Sequence, residues 1–333
     1  MINFLSSQQI LSPVFLAPMA GMTDLPFRNL VNTFGAGLVV SEIVASKELI
    51  VGGEKAIQRS KIGSFVDNTS VQISGSDSKI MADCAKLCED SGAKIIDINM
   101  GCPAKKVVNG YAGSALMKDL NVAKKIIDGV VEAVKVPVTL KTRLGWDENN
   151  LNAPELCKDA EDLGVSMVTI HGRTRCQFFK GQANWKNISK TVEQINIPVI
   201  ANGDIIDIGS ARNALSLSQA NGIMIGRGIA GKPWLLSEIS SSIYGTEAPK
   251  IPTGMRFIEM ILTHYDQVLS FYGIKLGVRQ FRKHINNYLT HVFNEDCLIR
   301  KRLLSEDNPK LVNELIRSLI RNFDFEKKSF DGK

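Results

Sequence analysis

Lys94-Ile-Ile-Asp-Ile-Asn-Met-Gly-Cys-Pro103 is a nearly unbroken β-branched run that stops on a Gly-Cys-Pro turn. A run this short and apolar suits a parallel strand covered on both faces better than a strand with one wet side. The same grammar recurs in Val14 to Ala20, Leu38 to Val44, Ser70 to Gly75, Val136 to Leu144, Met167 to Arg173, Ile197 to Asp204 and Gly222 to Gly228. Helix-like stretches lie between the runs, among them Met81 to Asp90, Val122 to Val134, Ala153 to Leu163 and Gly209 to Ser218. Eight β/α units in about 230 residues predict an α/β fold of the TIM (β/α)8 barrel type. A doubly wound sheet would carry G-x-G-x-x-G after its first strand. That place reads Ala17-Pro-Met-Ala-Gly-Met22, and Gly226-Arg-Gly228 is only a fragment of such a motif.

Beyond Pro233-Trp234 the pattern changes. Ala248-Pro-Lys-Ile-Pro252 reads as a linker, and the remainder of the chain is helical. The expected organisation is therefore a barrel over residues 1–245 and a C-terminal helical domain over 250–333. Ile258, Ile261, Leu262, Tyr265, Leu269 and Tyr272 recur at helical spacing as one buried stripe. Lys275, Arg279, Arg282, Lys283 and Asn286 make a second, basic stripe on a continuous helix. Of the net charge of +6, the segment from Lys250 onward carries +5, fifteen Lys/Arg against ten Asp/Glu. An array of positive charges on a rigid helix suits a phosphate backbone, so nucleic acid is the expected partner.

With 333 residues, 44% hydrophobic and 22% charged, the chain is too apolar to be disordered. No stretch of about 18 apolar residues predicts a membrane span, and the amino terminus lacks a basic n-region with a small-residue cleavage site, so a cytoplasmic protein is expected. Six cysteines (Cys84, Cys88, Cys102, Cys157, Cys176, Cys297) include no C-x-x-C pair, which argues against a disulfide framework and a zinc ribbon; no metal site is expected. Cys84 and Cys88, four apart on a helix, read as packing residues.

Chemistry in a TIM barrel sits where the strands end. The eight runs deliver Met19, Glu42, Gln72, Asn99 with Cys102, Lys141 with Arg143, His171 with Arg173, Asn202 with Asp204, and Gly226 with Arg227. Singly, each has an ordinary use as a turn former or an interior hydrogen-bonder. Eight convergent segments read as a site. The loops after the last two strands commonly bind phosphate in this fold; glycines there let backbone N–H groups approach, Arg227 adds charge, and Asp204 contributes through its backbone. Cys102, fixed between Gly101 and Pro103, is mostly protonated at neutral pH and suits a general acid, with a nucleophile or an inert thiol as the competing roles. Lys141 is expected to face the interior toward an anion, with Arg143 diverging from it. His171 is placed to donate to a cofactor oxygen, with Arg173 and Arg175 further out toward substrate.

Taken together, Ala17-Pro-Met-Ala-Gly-Met-Thr-Asp24, Ser41-Glu42, Val71-Gln-Ile-Ser-Gly-Ser-Asp77, Asp97-Ile-Asn-Met-Gly-Cys-Pro-Ala-Lys-Lys106, Ala112-Gly-Ser-Ala-Leu116, Leu140-Lys-Thr-Arg143, Ile170-His-Gly-Arg-Thr-Arg175, Ile200-Ala-Asn-Gly-Asp204, Ile225-Gly-Arg227 and Arg282-Lys-His284 resemble the tRNA-dihydrouridine synthases, in particular their bacterial B-type branch. The resemblance implies FMN as cofactor and NADPH-dependent reduction of the C5–C6 double bond of D-loop uridines in tRNA. It implies Pro18, Met19 and Ala20 against the flavin, Gln72, Lys141 and His171 on its ring, and Asn202, Gly203, Asp204, Gly226 and Arg227 at its phosphate end. Cys102 would protonate C5 opposite a hydride delivered to C6. Asn99 and Arg143, with Lys141, would orient the uracil, Arg173 would meet the RNA or phosphate, and Arg175 would lie toward the substrate. A uridine in folded tRNA must flip out to reach a barrel mouth; Lys275, Arg279, Arg282 and Lys283 would grip the backbone while it does. Phe179 and Asn184 depart from the Tyr and Asp frequent in the family, on the rim after the sixth strand. The competing readings are an FMN barrel reductase acting on a small pyrimidine or enoate, a sugar-phosphate lyase or isomerase, and an RNA-binding protein without catalysis. The basic terminal segment has no purpose in the first, and a yellow purified protein would remove the second.

Overall fold

All eight runs become strands, most of them shorter than the run at one end or both. The computed structural model describes residues 10–63, 67–290 and 298–319. The strands are β1 (Val14–Leu16), β2 (Leu38–Val40), β3 (Thr69–Ser74), β4 (Ile96–Met100), β5 (Val138–Arg143), β6 (Met167–His171), β7 (Val199–Asn202) and β8 (Gly222–Ile225). Each pairs in parallel with its sequence neighbours, and Phe15 opposite Met224 joins β1 to β8, closing the barrel. A two-residue piece, Val44–Ala45, adds to the upper end of β3. Intervening helices include Ser78–Asp90, Leu120–Ala133, Ala153–Asp162 and Ile208–Ser218. Their starts follow from the sequence: Asp77, Asp119 and Asp207 each accept a hydrogen bond from the first turn they precede. Among the described residues no helix is long and apolar enough to cross a membrane. Cys84, Cys88 and Cys157 are buried free thiols; Cys297 lies outside the described residues.

Phe15, Ala17, Leu38, Val40, Ile95, Met167, Ile200 and Met224 form one buried cluster, and they identify the inward face of every strand they sit on. Side chains alternate across a strand, so steps of two from that plug stay inside. From Ile95 they reach Asp97 and Asn99, from Met167 they reach Thr169 and His171, and from Ile200 they reach Asn202. Thr139, Lys141 and Arg143 lie in register with Asp97, Asn99 and His171 and share that face. This corrects the reading of these runs as apolar on both sides. Ile96, Ile98 and Met100 take the other face of β4, whereas the inward set changes from hydrophobic to polar within a single strand.

The chain divides into two units, residues 1–228 with 235–248, and residues 229–234 with 249–333. The second unit thus takes in residues 229–234 as well as the expected helical end. Its helices are Gly254–Tyr272, Ile274–Thr290, Leu298–Ser305 and Pro309–Ser318. The stripe Ile258, Ile261, Leu262 and Tyr265 is buried as expected, but Leu269 and Tyr272 are only half-buried, and Phe257, His264 and Val268 complete the face. Phe257 packs edge-on against Trp234 and Tyr288. His264 and His284 lie 4.6 Å apart between ring centroids, and His264 Nδ1 is 2.9 Å from the Tyr288 hydroxyl.

Both histidines are fully enclosed. Burial holds His264 well below its usual range and takes His284 down to about 3, with His284 and Lys283 respectively adding repulsion. Both are neutral in the folded unit. A folded pKa below the unfolded one means that stability is complete above about 6.5 and is lost as pH falls through that value, at about 1.4 kcal/mol per unit for each histidine. Denaturant titrations at neutral pH and at about pH 5 should differ by about 2 kcal/mol per histidine, and replacing His284 by phenylalanine should remove about half of that dependence.

Candidate active site

The barrel's C-terminal mouth is built on a hydrogen-bonded ladder across three strands. The register places Gln72, Asp97 and Thr139 side by side. Gln72 Nε2 and Thr139 Oγ1 each donate to the Asp97 carboxylate at 2.6 Å. Asn99 Nδ2 donates to Gln72 Oε1 at 2.9 Å, and Asn99 Oδ1 accepts from the backbone N–H of Cys102 at 3.0 Å and of Gly101 at 3.3 Å. The Cys102 carbonyl is held by the N–H and hydroxyl of Ser114. The loop carrying the thiol is therefore fixed through its backbone, and the half-buried side chain is left for chemistry. Burial pushes the thiol up, against the Ala104 N–H and the charges of Arg143 and Lys141, so it is protonated at neutral pH.

Lys141 and Arg143 do not diverge. Two residues apart on one strand, they share a face, and both are buried. Lys141 Nζ donates to Asn202 Oδ1 at 3.0 Å across β6, its one hydrogen-bond partner among the described residues. Burial, then repulsion from Arg143, lowers it to about 8, although Asp97 and Cys102 pull the other way. Arg143 Nε donates to the Gly101 carbonyl at 2.7 Å, and its Nη1 donates to the carbonyls of Thr174 and Phe178. Arg143 therefore ties the loop after β4 to the loop after β6.

The loop after β6 has a buried arginine at its centre. Arg173, expected further out, is enclosed: Nε donates to the Lys180 carbonyl, Nη2 to the Gly181 carbonyl and to Asp204 Oδ2, and Nη1 lies 3.3 Å from His171 Nε2. Two carbonyls of its own loop and the carboxylate after β7 turn the guanidinium inward. Asp204, at φ +54°, also accepts from the Ala183 N–H, with Arg227 3.8 Å away. Burial alone would raise Asp204; Arg173, the Ala183 N–H and Arg227 outweigh it and hold it below the usual carboxylate range. Arg175 is half-buried, its guanidinium 4.6 Å from the Trp146 ring. His171 is held well below its usual range, first by burial and then by Arg143, Lys141, Arg173 and Arg227. Four cations acting on one imidazole describe a mouth with a positive surplus, suited to an anionic ligand. Exposed Phe179 stands between Arg143 and Arg227, 5.4 and 5.3 Å from its ring.

Gly203 has φ +114°, and a Cβ there would lie 2.8 Å from His171 Cδ2 and 2.9 Å from Ala183 Cβ. A Cβ on Gly226 would meet nothing closer than Met19 Sδ at 3.7 Å. Met19 and Ala20 follow β1, where the Met19 N–H is held by Thr23 Oγ1 and the Gly21 N–H by Glu42 Oε1.

The expected residues of the barrel thus lie at the strand ends around one mouth. Lys275, Arg279, Arg282 and Lys283 belong to the helical unit, and there Arg282 departs from the basic stripe: its Nη2 donates to the Ser305 and Glu306 carbonyls and to Asp307. Asn286 accepts from Arg300 instead of joining that stripe. Lys275, Arg279 and Lys283 remain exposed at successive four-residue spacing. The residues that sequence reading passed over are Asp97 and Thr139. Their signal was available in the alternation Ile-Asp-Ile-Asn and Val-Thr-Leu-Lys-Thr-Arg, polar at every second position.

The family model "Dihydrouridine synthase (Dus)" matches residues 15–322. A "Probable tRNA-dihydrouridine synthase" of Rhodobacter capsulatus is 48% identical over 317 residues, 94% of this chain and 96% of that protein. A "tRNA-dihydrouridine synthase B" of Pasteurella multocida is 44% identical over 285 residues, 86% of each chain. Among solved structures, a morphinone reductase mutant in complex with tetrahydroNAD shares the fold at a TM-score of 0.51 and 12% identity, over 74% of this chain and 90% of that one.

Proposed function

The chain belongs to the dihydrouridine synthase family, and from that premise we propose that it reduces the C5–C6 double bond of D-loop uridines in tRNA with FMN as cofactor and NADPH as reductant. The observation that carries the chemistry is the protonated thiol of Cys102, on a loop whose backbone is fully engaged, at the lip of a cationic mouth. A bound flavin would supply the hydride chemistry that links the nicotinamide to uracil C6. Cys102 gives its proton to C5 and recovers one from solvent. Asn99 and Arg143 orient the uracil, and Lys141 stabilises charge developing on its carbonyls.

The residues present fit a flavin phosphate. Lys141 is buried with one of its three N–H groups engaged by Asn202, so it has donors for an acidic ring or its oxygens. Backbone at Gly226 is open to close approach, a Cβ there meeting nothing nearer than Met19 Sδ at 3.7 Å, with the exposed Arg227 beside it. Asn202, Gly203, Asp204, Gly226 and Arg227 would hold the phosphate end, and Pro18, Met19, Ala20, Gln72, Lys141 and His171 the ring. Asp204 serves there through its backbone, since its carboxylate is engaged by Arg173 and the Ala183 N–H. Arg173 acts by bracing the loop that follows His171, and Arg175 and Phe179 lie toward the substrate.

The helical unit supplies tRNA affinity. Neutralising Lys275, Arg279 or Lys283 singly should lower the salt dependence of tRNA binding by about one counterion each. Arg282→Ala should instead destabilise the helical unit by about 1 kcal/mol, through the lost carbonyl contacts, and leave the salt slope unchanged. Binding titrations across a salt series separate the two behaviours.

The deciding experiment for the activity is mass spectrometry of tRNA lacking dihydrouridine after incubation with the flavin-loaded protein and NADPH. Dihydrouridine at mapped D-loop positions is the expected result. Its absence across a full set of the host's tRNAs would move the assignment to a small-molecule reductase.

A further inference from the structure

We propose that Asp97 is a positioning residue for proton transfer, the acceptor that roots the chain of amides holding the Cys102 loop. The inference rests on the reading of Cys102 as acid and deepens it. Asp97 is buried and is not among the groups assigned to uracil or flavin. From it the chain runs through Gln72 and Asn99 to the backbone N–H groups of Gly101 and Cys102, every link between 2.6 and 3.3 Å.

Each amide in that chain has a donor end and an acceptor end, and reversing one reverses its neighbour. An ionised carboxylate only accepts, so it admits a single polarity. Gln72 must give its NH2 to Asp97, its oxygen then takes the Asn99 NH2, and the Asn99 oxygen remains for the loop. Thr139 donates to the other carboxylate oxygen and holds it in place. A protonated Asp97 has one O–H to place between two donors, and the arrangement loosens. Lys141 is the charged group that acts on Asp97 from β5, while Arg143 and Cys102 couple to Lys141 in turn. Burial raises Asp97 to about 6, against Thr139, Gln72 and Lys141. Loosening therefore falls just below neutral pH.

The test is single-turnover dihydrouridine formation from pre-reduced, flavin-loaded enzyme with saturating tRNA, followed against pH. The wild-type rate should fall about tenfold per unit below about pH 6. Asp97→Asn, the neutral isostere of the protonated acid, has a donor end as well as an acceptor end and no longer imposes a single polarity on Gln72. That variant should run about tenfold or more slower than wild type at neutral pH and lose the acid limb. Asp97→Ala unseats Gln72 and should slow this half-reaction about tenfold or more, a larger factor than its effect on NADPH-driven flavin reduction, with half-saturating tRNA unchanged. An acid limb that survives in Asp97→Asn, or equal slowing of both half-reactions in Asp97→Ala, overturns the proposal. Should Asp97→Ala not fold, the Asp97→Asn profile decides. A wild-type enzyme that forms no dihydrouridine at any pH would instead overturn the functional reading itself.

Discussion

Cys102→Ala should purify with its full complement of flavin, be reduced by NADPH at the normal rate, and form dihydrouridine slower by on the order of 10²-fold or more, the usual contribution of a positioned general acid. The two half-reactions separate because the loop does not depend on the thiol. Asn99 holds its N–H groups and Ser114 its carbonyl whatever the side chain at 102. Removing one sulfur from a half-buried position costs about 1 kcal/mol of stability or less. Stopped-flow absorbance for flavin reduction and quenched-flow mass spectrometry for product measure the two steps. Cys102→Ser should share the defect, because a hydroxyl is a far weaker acid than a thiol. Full single-turnover activity in Cys102→Ala would remove the thiol from the proton path.

Gly203→Ala should give a colourless protein that unfolds about 10 °C lower. Alanine at φ +114° is strained, and its Cβ would press on His171 Cδ2 at 2.8 Å and Ala183 Cβ at 2.9 Å. Backbone strain of about 1–3 kcal/mol adds to overpacking of similar size. At about 2–4 °C per kcal/mol for a unit of this size, the loss reads directly in a melting curve. The segment cannot shift to relieve the clash without cost, since Trp185 Nε1 donates to the Gly203 carbonyl at 2.9 Å. Displacing His171 and the Gly203 backbone together removes contacts from both ends of the proposed cofactor. Gly181 supplies the control. It has φ +65°, and an added methyl group would meet no atom within 4 Å, so Gly181→Ala should cost about 1 kcal/mol and keep the yellow colour. Flavin retained at wild-type occupancy in Gly203→Ala would displace the phosphate site from this loop.

The barrel was legible because each of its strands is written as a short β-branched run, and parallel strands leave few other ways to bury eight of them. The strand-end residues were legible for a related reason, since the fold turns order along the chain into position around a mouth. Side-chain direction was harder. Arg143 was expected to point away from Lys141, although an interval of two settles the matter in a strand. Arg173 and Arg282 were expected to face ligands, because sequence records a guanidinium's charge and not the carbonyls that later surround it. In each case the partners come from a loop distant in sequence or folded back on itself, at Lys180 and Gly181 for Arg173 and at Ser305 and Glu306 for Arg282. Asp97 was passed over because it sat inside a run judged by its overall apolarity.

The change from hydrophobic to polar within each inward set has a consequence for how such a protein diversifies. Ile95, Met167 and Ile200 come first on their strands, and Asp97, Asn99, His171 and Asn202 follow two or four residues later toward the other end. Folding and chemistry are thus inherited on the same strands as separable traits. A lineage can vary the reactive end by point substitution while the plug stays under purifying selection for packing. A single-residue insertion within a strand, in contrast, would exchange the two faces and end both traits at once. Variation among descendants should accordingly be rich in substitutions at the mouth and poor in strand-length changes.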